Sequence, residues 1–136
     1  MLNLESILSQ TPITAADWAE RAQALRQLNR EQDALVAAAE ALKIDPTRAD
    51  MWHAIGFMLL QRGRWAEAAH YLNQAITFNP HDAAYRSHYA VALAETDAYD
   101  DAYQQAKAAL HVNPQSADAL YMMGEILIRT GHYEEA

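Results

Sequence analysis

The chain of 136 residues has no cysteine. That single absence excludes disulfides, thiolate nucleophiles and the cysteine-bearing zinc sites together, and it fits a reducing compartment. Positive charge is also scarce, with ten Lys and Arg against eighteen Asp and Glu, a net charge of −8 and a pI near 5.1. Nucleic-acid affinity is built from clustered Lys and Arg, and no basic stripe runs along this chain, so nucleic acid is not an expected partner. Half of the residues are apolar, yet no apolar run approaches the roughly 18 needed to cross a bilayer, so no membrane partner is expected. The opening stretch, MLNLESILSQTPIT, lacks a cationic n-region and carries Glu5 within its apolar part, so it does not read as a secretory signal. These readings point to a cytoplasmic protein.

Proline and glycine number only four each, but their spacing organises the chain. Pro46, Pro80 and Pro114 stand 34 residues apart, in KIDPTRADMWHAIG, TFNPHDAAYRSHYA and HVNPQSADALYMMG. A fixed period of that length marks a repeat architecture. Within Ala49–Pro80, apolar residues recur at three and four spacing through Trp52, Ile55, Leu59 and Leu60, which predicts a helix with a broad apolar face. Gly63 breaks that pattern. A second one runs through Trp65, Ala68, Leu72, Ala75 and Ile76 until Asn79-Pro80 stops it. The unit is helix, tight turn, helix.

Small residues hold the same phase. Gly56, Ala68 and Ala75 fall where two helix axes approach; Ala22, Ala34 and Ala41 repeat them upstream, and Ala90, Ala102 and Ala109 downstream. Gly124 and Ala136 begin the series a fourth time. An alanine-rich bundle without repeats would not keep one phase through four units.

On these residues the chain resembles the tetratricopeptide repeat family. The second unit matches its pattern best, with Trp52, Ile55, Gly56, Leu59, Gly63, Trp65, Ala68, Leu72, Ala75 and Pro80 in register. Departures occur at Arg21, in place of a leucine, at Asn29 and Asp97, in place of the turn glycine, and at Arg86, where an aromatic normally packs. The resemblance implies an all-α fold, a right-handed α-solenoid of antiparallel helix pairs with three full repeats and a partial fourth. The expected division is 1–14 as an N-terminal capping segment, then repeats at 15–48, 49–82 and 83–116, and a partial repeat at 117–136.

Both ends carry expectations. Leu2, Leu4, Ile7 and Leu8 form a short amphipathic segment, read as a cap or else as a dimerising or groove-filling piece, and Thr14 or Asp17 can cap the first repeat helix. GHYEEA opens a second helix without completing it, so Leu120, Met123, Leu127 and Ile126 are expected to lose cover. The chain is expected to be a piece of a longer repeat protein, or to form a homodimer through its incomplete last repeat.

In the family the first helix of each pair lines a concave groove. Carried over by register, the expected lining is Gln23, Asp50, His53, Phe57, Leu60, Ser87, Val91, Glu95, Tyr121, Glu125 and Ile128. Members that clamp the acidic C-termini of large chaperones use Lys and Asn there. This chain has Ala19, Gln23, Ala54, Ala84 and His88 at those sites, so the clamp is missing. An apolar strip of Phe57, Leu60, Val91, Tyr121 and Ile128, edged by Asp50, Glu95, Asp118 and Glu125, suits an apolar or mildly basic peptide or helix.

Catalytic patterns are absent. The six histidines show no zinc-type spacing, with His53 and His88 the one pair on adjacent groove helices, and no metal or other cofactor is expected. Asp100-Asp101 and Glu134-Glu135 open second helices, where negative charge complements the helix dipole. The expected role is a non-enzymatic scaffold or adaptor that binds a partner protein. Two alternatives stand beside it: an N-terminal adaptor of a larger enzyme such as a glycosyltransferase, or a secretion chaperone of the same repeat type.

Overall fold

A computed structural model describes residues 4–12 and 14–131 of the chain. Leu2, His132, Tyr133, Glu134, Glu135 and Ala136 lie outside the described residues. The described residues form eight helices and no strand: α1 (Leu4–Ser9), α2 (Ala15–Gln27), α3 (Glu31–Ile44), α4 (Ala49–Gln61), α5 (Trp65–Phe78), α6 (Ala83–Glu95), α7 (Tyr99–Val112) and α8 (Ala117–Arg129). Each helix packs on the next, and α6 also touches α4 on one side and α8 on the other, so the hairpins stack into a solenoid.

The 34-residue phase is written in the backbone. Asn29, Gly63, Asp97 and Gly131 take φ of 59°, 74°, 64° and 82°, the left-handed conformation that lets a helix end in a tight turn. The N–H groups of Arg30, Arg64 and Ala98 then donate back to the carbonyls of Leu25, Leu59 and Leu93 at 2.9, 3.0 and 2.8 Å. The turns at the prolines have their own device. Asp45, Asn79 and Asn113 each accept, through a side-chain oxygen, the N–H two residues on, at 3.0, 3.4 and 3.0 Å. An Asx residue before proline thus ends one helix and shapes the turn into the next hairpin.

Caps fix the helix starts. Thr14 accepts the Asp17 N–H at 3.1 Å while the Asp17 carboxylate accepts the Thr14 N–H at 3.0 Å, a reciprocal capping box. Asp82 and Ser116 do the same one-sidedly for α6 and α8. Arg21, the unexpected residue of α2, donates from Nη1 to the carbonyls of Leu8 and Gln10, both at 3.2 Å. Its charge meets the carbonyl end of α1, and Leu8 packs beside the core.

The interior shows what the small residues do. Ala22, Ala34, Ala41, Ala68, Ala75, Ala90, Ala102 and Ala109 are all buried. A Cβ on Gly56 would lie 2.8 Å from Cγ of Leu72, well inside contact distance. Leu72 fills the space that glycine leaves open. In the next hairpin the equivalent pair is Ala90 and Ala106, and in the preceding one Ala22 and Ala38, all buried. At the far end Ile126 and Leu127 are buried and Met123 half-buried; of the four residues expected to lose cover, Leu120 alone is wide open, at 53%. Ile126 escapes exposure because it packs on Ala90, Ala94, Ala102 and Ala106 of the preceding hairpin.

Candidate functional site

The helices α4, α6 and α8 adjoin along one face. On it His53, Phe57, Tyr85 and His88 form a ring cluster. His53 lies over Tyr85 with centroids 4.5 Å apart and over His88 at 5.1 Å, and Phe57 tilts against His88 at 4.8 Å. His53 Nε2 and His88 Nδ1 are 2.9 Å apart, so one imidazole donates its N–H and the other accepts.

That geometry requires the accepting ring to be uncharged, and burial disfavours charge on both. Burial, followed by the neighbouring His88, pulls the pKa of His53 down from 6.5 to about 4, against a weaker opposite pull from Asp82. His88 is lowered by burial as well, with Asp118 and Asp82 opposing. Among the described residues no three metal-ligating side chains converge, and the pair stands as a hydrogen bond between two neutral imidazoles.

Beside this cluster, α6 and α8 enclose a cleft of about 240 Å³. Five of the expected lining residues border it: Ser87, Val91, Glu95, Tyr121 and Glu125. Tyr121 is 66% exposed and Val91 half-buried, whereas Ser87 is fully buried at the floor with its hydroxyl donating to the Ala83 carbonyl at 2.9 Å. The other expected positions lie elsewhere. Leu60 is a core side chain, buried beside Leu59 and Met58, and Ile128 is exposed on α8 outside the cleft. Gln23 stands exposed on α2, and Asp50 opens α4. His88, at a clamp position of the family but not among the eleven expected lining residues, is the residue that links Phe57 to the cleft. Its signal was the spacing from His53, one residue beyond a full period.

The acidic edge is partly neutralised. Asp50 pairs with Arg48 at 2.8 Å, and Glu95 and Glu125 share Arg129 at 3.3 and 3.6 Å. With Asp118, the edge holds four carboxylates against two guanidiniums, so it is negative but less so than the sequence suggests. These exposed pairs orient the side chains more than they stabilise the fold.

Comparison with known proteins decides the family. A family model described as Tetratricopeptide repeat matches residues 25–92, 59–106 and 93–136. The chain belongs to the tetratricopeptide repeat family. It is 31% identical over 81 residues to the TPR repeat-containing thioredoxin TTL4 of Arabidopsis thaliana, covering 60% of this chain and 12% of that protein. The chain therefore spans a small part of this relative. Among solved structures it is similar to MamA, with a TM-score of 0.86, 16% identity and coverage of 97% of this chain and 77% of that one. It is also similar to the first TPR of Spaghetti (RPAP3) bound to the HSP90 peptide SRMEEVD, with a TM-score of 0.82, 14% identity and coverage of 89% and 96%. At these identities the likeness is one of fold. No described helix is long and apolar enough to cross a membrane.

Proposed function

We propose that this interaction module takes an apolar or mildly basic polypeptide on the face formed by α4, α6 and α8. Phe57, His88, Val91 and Tyr121 would supply the apolar contacts, with Glu95, Asp118 and Glu125 at the margin. The observation that carries the reading is the cleft between α6 and α8, which continues into the stacked rings of Phe57, His53 and His88. Apolar anchors seated in a cleft are where binding energy concentrates. The module works by binding and carries out no reaction of its own.

The charge pattern supports this ligand class. The similar TPR structure is bound to SRMEEVD, a peptide rich in carboxylates. Here the clamp positions of the family hold Ala19, Gln23, Ala54, Ala84 and His88, and Arg48 and Arg129 are already engaged by carboxylates of this chain. An acidic peptide would meet negative charge. A Lys or Arg flanked by apolar residues would meet Asp118 and the shared carboxylates instead.

Peptides selected from a display library against the full chain test the proposal. The expected sequences are apolar with Lys or Arg, and Tyr121→Glu should weaken their binding by about tenfold or more. Because Tyr121 is 66% exposed, that variant should melt within a degree or two of the parent chain. Undiminished binding by Tyr121→Glu, or selection of acidic peptides that need this face, would reject the reading.

A further inference from the structure

We propose that a second cleft, between the α5–α6 turn and the last turns of α7, binds a carboxylate side chain from an acidic, apolar-flanked polypeptide segment. It is separate from the face proposed above.

The cleft has a volume of about 600 Å³ and exists where the repeat breaks its own pattern. One period earlier, Trp52 packs against Tyr71 with centroids 5.6 Å apart and meets His70 edge-on at 6.5 Å. The equivalent residues here are Arg86, Gln105 and Gln104, and the aromatic filling is gone. Arg86 nevertheless keeps the tryptophan's anchor. Trp52 Nε1 donates to the Pro46 carbonyl at 2.7 Å, and Arg86 Nε donates to the Pro80 carbonyl at 3.0 Å. Arg86 Nη1 donates to Gln105 Oε1 at 2.9 Å, so the guanidinium is held at two points beside an open cleft. A planar group fixed in this way suits a carboxylate better than a mobile ammonium would.

Charge points the same way. Arg30, Lys43, Arg48, Arg62, Arg64 and Arg129 all hold ion pairs. Arg86 and Lys107 have no carboxylate within pairing distance among the described residues, and both line this cleft, which no Asp or Glu borders. In a chain of net charge −8, two unpaired cations in one cavity are a local reversal of sign. His81 and His111 add imidazoles at its edge, while Pro80, Leu110 and Val112 make the remaining wall apolar.

The same features argue against a polyanion. Nucleic acid and anionic lipid surfaces need an extended basic area, and the chain around this cleft is acidic. One fixed guanidinium, one ammonium and an apolar wall fit a single Asp or Glu with Leu or Val neighbours.

The test uses the full ¹⁵N-labelled chain and the probe peptide acetyl-Leu-Asp-Leu-Glu-Val-amide. Saturable amide shifts are expected at 81, 86 and 104–112, and the Asn/Gln version of the peptide should produce none. Arg86→Trp, which installs the residue of the preceding repeat, should weaken binding by about tenfold, and Lys107→Gln by about threefold. Should Arg86→Trp fail to fold, Arg86→Gln serves with the same expectation. Tyr121→Glu should leave this binding unchanged, so failure of the α4–α6–α8 reading and failure of this one are separable. Equal affinity in the folded Arg86 variants, shifts confined to α6 and α8, or tighter binding of inorganic phosphate or phosphatidylserine vesicles at the cleft would each overturn the proposal.

Discussion

The hairpins α4/α5 and α6/α7 share one 34-residue frame and fill it differently. The first buries large side chains, Met51, Ile55, Met58, Leu59 and Leu72, around a glycine. The second buries Ala90, Ala92, Ala94, Ala102, Ala106 and Ala109 and admits Arg86 where its neighbour has Trp52. The frame is held by turns and close approach, which the two hairpins share, so side-chain volume is free to vary as long as facing positions compensate. The hairpin packed with alanine is also the one bordered by both clefts, because less side-chain volume leaves more surface open.

The facing pairs offer the sharpest way to break this comparison. Leu72→Ala should cost about 2–5 kcal/mol, since a fully buried leucine leaves a cavity. Gly56→Ala alone should cost about 1–3 kcal/mol through its clash with Leu72, reduced by the better helix propensity of alanine. Together the two changes recreate the Ala90–Ala106 arrangement, so the double variant should be more stable than the sum of the single effects implies. Chemical denaturation of all four proteins measures that coupling, and strict additivity would refute the compensation argument.

Acid titration separates the imidazole pair from the rest of the fold. The folded pKa of His53 lies near 4, below its ordinary 6.5. The unfolded chain therefore takes up the proton first, and the stability held by the neutral pair is complete above about pH 6.5 and declines as pH falls toward about 4. Melting temperature followed over this range should fall, and His53→Asn with His88→Asn should flatten the slope. An unchanged slope would place the acid sensitivity elsewhere.

The smallest effects belong to the turns. Gly63→Ala should cost about 1 kcal/mol, because alanine resists a positive φ. Asn29→Gly should gain about 0.5 kcal/mol by relieving the same strain. Asp97→Gly should gain less, since the Asp97 carboxylate accepts the Tyr99 hydroxyl at 3.0 Å.

Much of this architecture was legible in the sequence because repetition amplifies weak signals. Asn29 and Asp97 are poor turn markers singly, yet their phase with Gly63 and Gly131 identifies all four positions. Likewise the phased alanines announce close helix approach. The site was less legible, because register gives the angle of a side chain around its helix but not its depth. Leu60 and Val91 share the family's lining register, and yet Leu60 is buried in the core while Val91 reaches the cleft. Sequence also lists charges without partners. Glu95 and Glu125 read as free edge carboxylates until Arg129, a full period beyond Glu95, is brought between them. Arg86 was visible only as a departure from a pattern, and its contact with Gln105 needed three dimensions.

The measurement that bears most directly on the binding face is amide-shift mapping of the labelled chain with a display-selected peptide. The account predicts perturbations concentrated at Phe57, His88, Val91, Tyr121 and Glu125, with α3 and α5 nearly silent. Perturbations running along α3 and α5 instead, with the α6–α8 cleft unaffected, would contradict it.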